Sequence, residues 1–173
     1  MNKTALQIIR FVVLVLLQVL VINHIRLGGY VHPSIYMIFI MLLPINMPGW
    51  QLLLLGFGLG MSVDLFTGTP GLHASATTLM AFCRPYIIKL VSGTQKFENI
   101  HEPNLNQLDG MWFFRYVLLM VLVHHFWLFL IESFSFRLIG QVLLRILLSV
   151  PVSVFLIMMI LYIFKSNKKG EMR

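Results

Sequence analysis

The chain has 173 residues, 58% of them hydrophobic and only 11% charged. A soluble domain of this size has too little interior to hide so much apolar surface, which excludes an ordinary globular protein and points to an integral membrane protein. Thirteen Lys and Arg against six Asp and Glu give a formal charge of +7; most of these basic residues flank apolar stretches, where the cytoplasmic side of a membrane accounts for them and nucleic acid is not required.

The first apolar run covers residues 6–25, about 20 residues and enough to cross a hydrocarbon core of roughly 30 Å. Lys3 and Arg10 at its start resemble the basic region of a signal peptide. The run ends in Val21-Ile22-Asn23-His24-Ile25-Arg26, without the small residues a signal peptidase requires, so it reads as a retained first helix. Gly28, Gly29 and Pro33 then favour a loop, with Tyr30 and His32 suited to an interfacial position. The second span, 34–45, is short and is closed by Pro44 and Pro48. Trp50 follows as an aromatic anchor.

The third and fourth spans, 51–66 and 72–91, form a hairpin about Thr69-Pro70-Gly71-Leu72, which fits a type II turn with Pro second and Gly third. A polar connection, 92–110, carries Lys96, Glu98, Glu102 and Asp109. The fifth and sixth spans are 111–131 and 139–164, and a basic tail follows. The expected architecture is therefore an all-α, polytopic bundle of six transmembrane helices forming a single membrane domain over 1–173. Six spans place both ends on one side. With the ends in the cytoplasm, nine basic residues fall there and only Arg26 and Arg137 outside, so the positive-inside rule places both termini in the cytoplasm.

The hairpin carries the chemistry. Asp64 is the one carboxylate within its apolar span, and a charge in lipid is costly enough to mark a functional candidate. Gly56, Gly60 and Asp64 recur every four residues along one helix face, and Gly56-x-x-x-Gly60 permits close helix approach. Ala74, Ser75, Ala76, Thr77, Thr78 and Ala81 give the returning helix a matching small, weakly polar surface. At 1.5 Å per residue Asp64 lies about 8 Å below the turn, which makes His73, Ser75 and Thr77 its candidate partners. Arg84 lies about 15 Å lower on the same rise, too far for a direct pair, and is expected to snorkel toward the cytoplasm beside Lys89. Pro85 and Pro151 are expected to bend their helices.

Three roles for Asp64 stay open on the residues alone: a structural acid bonded to hydroxyls and His73, a partner-binding or assembly element, and a proton- or ligand-coupled group. A hydrolase is hard to build, because the chain has no glycine-flanked nucleophilic serine and no H-E-x-x-H run. Cys83 is the only cysteine, which excludes an intrachain disulfide or cysteine metal site. His124-His125 cannot share one helix face, since adjacent residues stand about 100° apart, and His101-Glu102 lacks a second histidine at metal spacing. Glu132, Arg137 and Arg145 are expected to form a charge cluster at the turn between the last two spans. No cofactor and no metal is expected.

The span order, Pro33 and Pro44 about the second span, and above all Gly60-x-x-x-Asp64-Leu65-Phe66-Thr67-Gly68-Thr69-Pro70-Gly71-Leu72-His73-Ala74 resemble the MreD family of rod shape-determining membrane proteins. The resemblance covers the whole hydropathy profile, and its specific part is 60–74. It implies a non-catalytic scaffold of the bacterial elongation machinery in the inner membrane. Such a protein binds MreC, works with RodA and a class B penicillin-binding transpeptidase, and meets the MreB filament indirectly. The family's bundle is similar to the substrate-binding components of energy-coupling-factor vitamin transporters, which keeps a small-ligand-binding subunit as the principal alternative. A lipid-handling enzyme or flippase is a third possibility. On the scaffold reading, Asp64, Thr67, Gly68, Pro70, Gly71 and His73 shape or form a partner-binding region at the outer ends of the third and fourth spans. Gly56, Gly60, Ala74 and Thr78 serve helix packing.

Overall fold

Long apolar runs free of internal breakers become helices, and the breakers mark their ends. The computed structural model describes residues 3–25, 31–93, 102–103, 105, 107–133 and 139–165. Over these residues the chain forms α1 (Lys3–Leu20), a 3-10 turn (Ile22–His24), α2 (Ile38–Met41), α3 (Gly49–Thr67), α4 (Leu72–Ser92), α5 (Gly110–Ser133) and α6 (Ile139–Ile163). Four stretches, Thr4–His24, Gly49–Thr67, Gly110–Ser133 and Ile139–Ile163, are long and apolar enough to cross a membrane, so this is a helical membrane protein. The 21 residues of α4 are long enough too, about 31 Å at 1.5 Å per residue, but more polar. It packs against both α3 and α5, and these neighbours cover much of its polar surface. Helix α6 packs on α5, while α1 rests more lightly on α3 and α2. Helices α4 and α6 run on through Pro85 and Pro151.

Glycines set the α3–α4 contact. A Cβ on Gly60 would fall on the backbone of α4, 2.5 Å from Ala74 Cα, and one on Gly56 would lie 2.9 Å from Ala81 Cβ. Neither backbone nor a short methyl can yield, so Gly60 fixes how closely the two helices approach.

The second span differs from expectation. Instead of a transmembrane helix, residues 31–48 form a largely irregular segment containing only the four residues of α2. Its apolar residues Ile35 to Met41 are all 3% exposed or less. Apolar composition over 34–45 signalled burial correctly but not helicity, and the flanking prolines at 33, 44 and 48 kept the helix short.

Irregular backbone at membrane depth must find its hydrogen bonds within protein. Here each neighbouring helix but α3 supplies them. From α1, Gln18 accepts from the Ile35 amide at 2.8 Å and donates to the Pro33 carbonyl at 3.1 Å. From α6, Ser149 and Ser153, one helical turn apart, accept from the His32 and Ser34 amides, each at 3.0 Å. From α5, the Tyr116 hydroxyl donates to the Met41 carbonyl at 3.1 Å, and His125 Nε2 lies 3.2 Å from the His32 carbonyl.

Arg84 completes the set and corrects the snorkelling expectation. It is 1% exposed and points inward from α4. Its guanidinium donates to the carbonyls of Met41 (3.4 Å), Leu43 and Pro44 (3.1 Å), and its Nε donates to Tyr116 at 3.0 Å. Backbone carbonyls solvate the cation in place of a carboxylate, a recognised way to hold a charge in a membrane. The rise along α4 placed Arg84 well below the turn; what it missed was the row of carbonyls that the irregular segment presents at that level.

Arg84→Ala leaves the Leu43 carbonyl without its donor and removes the charged bonds to Met41, Pro44 and Tyr116; bonds to a charged group are worth about 1.5–3 kcal/mol each. We expect a loss of about 3 kcal/mol or more in unfolding of the detergent-solubilised protein by sodium dodecyl sulfate, with Arg84→Lys recovering part. Gly60→Ala, which pushes two backbones apart, should also lower the unfolding midpoint, whereas Gly58→Ala, where an added Cβ meets nothing within 4 Å, should not.

Candidate functional site

Two helix ends meet at the α3–α4 turn, and Asp64 serves both. At the end of α3, Gly68 takes the left-handed conformation (φ 68°, ψ 27°) and its amide donates to the Asp64 carbonyl at 2.9 Å, the usual glycine helix stop. The Thr67 hydroxyl donates back to the Val63 carbonyl at 3.0 Å and lies 2.7 Å from the Thr69 hydroxyl. Pro70 and Gly71 then form the expected type II turn: Gly71 has φ 89° and ψ −13°, and the Leu72 amide donates to the Thr69 carbonyl at 3.2 Å.

The Asp64 carboxylate opens α4. Oδ2 accepts from the amides of Gly71 (3.0 Å) and Ala74 (2.9 Å), and Oδ1 from the His73 amide (3.0 Å). Oδ1 also accepts from the Thr69 hydroxyl at 3.0 Å and His73 Nδ1 at 2.9 Å. With Leu72 bonded to Thr69, the free amides that begin every helix are all met, and the negative charge sits at the positive end of the α4 dipole. Every partner is a donor, which is the inventory of an ionised carboxylate. Asp64 is 2% exposed.

The expected partner His73 is therefore present, while two other candidates turn elsewhere. The Ser75 hydroxyl donates to the Leu72 carbonyl at 2.9 Å, and the Thr77 hydroxyl to the His73 carbonyl at 2.7 Å. Ala74 lies against Gly60, and the Thr78 hydroxyl bonds the Ala74 carbonyl at 2.7 Å.

Below the turn lies a buried polar cluster that reading the sequence left unassigned. The Tyr36 ring stands 6.1 Å from the His73 ring, and its hydroxyl is 2.6 Å from His124 Nε2. His125, also fully buried, reaches the His32 carbonyl and lies 3.3 Å from the Ser153 hydroxyl. The adjacent histidines diverge, as the helix requires, yet both face the irregular segment at different heights. Among the described residues no three His, Cys, Asp or Glu side chains converge as a metal site.

Above this cluster, at the turn end of the bundle, is a groove of about 390 Å³. One wall is Thr67, Thr69 and His73; the opposite walls are Asn23 and His24 after α1, and Phe129, Glu132 and Arg145 from α5 and α6. Arg145 and Glu132 form a two-pronged ion pair at 3.0 and 3.1 Å, and the guanidinium carbon lies 4.5 Å above the Phe129 ring centroid. Arg137, the third member of the expected cluster, lies outside the described residues. Hydroxyls, imidazoles, an amide and an ion pair around an open concavity suit recognition of a polar or peptide-like segment.

Comparisons with models of protein families, with curated proteins and with solved structures find no match to this chain.

Asp64→Asn keeps one acceptor oxygen but turns an amide group toward backbone donors. Hydrogen bonds to a charged group are worth about 1.5–3 kcal/mol each, so we expect a stability loss of at least about 2 kcal/mol. Thr69→Val, which removes one of the five donors, should cost less, about 1.5 kcal/mol. Unfolding midpoints in detergent rank the two; the reverse order would show that the cap is not what holds the turn.

Proposed function

We propose that this protein is a non-catalytic scaffold of the bacterial elongation machinery, similar to the MreD family, and that its turn-end groove receives the membrane-proximal segment of an MreC-like partner. The reading rests on the resemblance over 60–74. One observation carries it further: within that stretch the acid is fully committed to building a fixed turn, and that turn is a wall of a ready-made groove. An acid already accepting from five donors has no lone pair to spare for proton transfer to a substrate, whereas a rigid wall lowers the ordering cost of binding a partner. RodA, a class B penicillin-binding transpeptidase and, indirectly, MreB are the further members of the proposed assembly. The chain then sits in the inner membrane with both termini cytoplasmic and six passes, α4 and the irregular 31–48 segment making two of them, and the groove faces outward.

A second reading has an observation of its own. A concavity of about 390 Å³ falls within the range of small-ligand sites, roughly 300–1,000 Å³, which fits the binding subunit of a vitamin transporter. That reading requires saturable ligand binding by the purified protein alone and co-purification of ATPase and coupling subunits.

Glu132→Lys separates the two without disturbing the fold. Glu132 is 40% exposed, and an exposed ion pair contributes about 1 kcal/mol or less, so the unfolding midpoint should hardly move. Two like charges then face a docking partner, and recovery of an MreC-like protein with tagged protein from detergent extracts should fall about tenfold or more. Unchanged recovery at equal expression removes the groove from the proposal; recovery of transporter subunits in place of cell-wall proteins replaces the scaffold reading altogether.

A further inference from the structure

At the opposite end of the bundle α1 is only partly covered by its neighbours, with Phe11 set edge-on against Phe39 at 5.2 Å. None of residues 4–13 is buried, whereas Leu14, Val15, Gln18 and Val19 are. Two clefts open beneath this stretch, and Glu102 lines both. The larger, about 730 Å³, lies between α1, α3 and the irregular segment; Phe11, Phe39, Leu43 and Leu55 make it apolar. Besides Glu102, its polar members Thr4, Gln7 and Gln51 belong to the first two turns of α1 and the first turn of α3, so the polar rim lies near where those helices begin. The smaller, about 200 Å³, lies between α1, α5 and α6 and holds Arg10, Glu102 and Lys165 over Leu42, Phe113 and Phe164.

These charges are not spent on one another. Arg10 donates to Gln7, and Gln7 to Glu102, both at a long 3.5 Å. Lys165 Nζ lies 5.7 Å from the Tyr162 ring centroid, and no ion pair joins Arg10 or Lys165 to a carboxylate among the described residues. An apolar cleft left empty at membrane depth forfeits dispersion contacts on one side, and the solvent available to fill it is lipid. Basic pockets between transmembrane helices are recognised sites for lipid head groups.

We propose that the two clefts form one phospholipid site, with an acyl chain in the apolar cleft and the phosphodiester between Arg10 and Lys165. Glu102 specifies the rest of the head group. Beside a bare anion its charge is repulsive, so the head group brings a hydrogen-bond donor, a primary ammonium or a hydroxyl, that Glu102 accepts. Phosphatidylethanolamine and phosphatidylglycerol carry such a donor; phosphatidylcholine does not. This site is independent of the groove at the other end and of the partner proposed for it.

The test uses full-length, delipidated protein in detergent. Dioleoyl phosphatidylethanolamine, phosphatidylglycerol, phosphatidylcholine or inorganic phosphate is titrated in, with bound lipid counted by native mass spectrometry. The first two lipids should bind at least fivefold more tightly than phosphatidylcholine, and phosphate alone should have no effect. At about fivefold per cation near a membrane surface, Arg10→Gln with Lys165→Gln should weaken binding about 25-fold, while Arg10→Lys retains it and Lys89→Gln, on α4 outside both clefts, changes nothing. Glu102→Gln should narrow the preference over phosphatidylcholine. Equal binding of all three lipids overturns the proposal. So does undiminished binding by the double variant at an unchanged unfolding midpoint, or displacement of lipid by phosphate, which would mark a soluble-anion site.

Discussion

No backbone amide or carbonyl can be left unpaired at membrane depth, and the irregular segment 31–48 makes that constraint the centre of this fold. A helix satisfies its own backbone; this segment cannot, so the surrounding helices are built to serve it. Gln18, Arg84, Tyr116, His125, Ser149 and Ser153 occupy otherwise apolar helices, and each is turned inward onto one to three backbone groups. Unmet, each such group would cost several kcal/mol in lipid. Once met, the same bonds specify the height and rotation of α1, α4, α5 and α6 around the segment. Packing of apolar chains alone does not, since lipid tails are as apolar as leucine.

Asp64 solves the same problem at the α3–α4 turn. The end of one helix and the start of the next expose carbonyls and amides together, within a few residues. A single residue answers both: its main-chain carbonyl accepts from Gly68, and its carboxylate accepts from the first amides of α4. The cost of a charge in the membrane is met by five donors and by the helix dipole. Gly60, one turn below, lets the two backbones come close enough for the carboxylate to reach.

Much of this was legible in the residues. Pro70-Gly71 specified the turn type, Gly56 and Gly60 the close approach of α3 and α4, and the rise per residue placed His73 beside Asp64. Uninterrupted apolar runs marked α1, α3, α5 and α6 to within a few residues. The irregular segment was not legible, because hydrophobicity reports burial and not backbone conformation, although three prolines within sixteen positions argued against a long helix. Its polar supports were missed for the same reason: with a regular helix expected there, Gln18, Ser149 and Ser153 had no backbone groups to bond and carried no assigned role. Four-residue spacing of the two serines, which puts them on one face, was the available signal. Arg84 was misplaced because cations near helix ends usually reach for water, and nothing in α4 itself announces three carbonyls waiting on its inner side.

Burial separates the two carboxylates at the turn end by role. The Asp64 side chain is 1% exposed and accepts from five donors, whereas Glu132 is 40% exposed and holds only Arg145. Replacing any bond of the first means opening the turn. The second is an exposed ion pair, worth about 1 kcal/mol or less, over the face of an aromatic ring that keeps the guanidinium in place when the carboxylate leaves. A partner arriving in the groove would therefore exchange bonds with Glu132 and Arg145 at little cost and meet Asp64 only through the shape it maintains. On the proposed function, that division gives one acid to build the wall and another to face the partner.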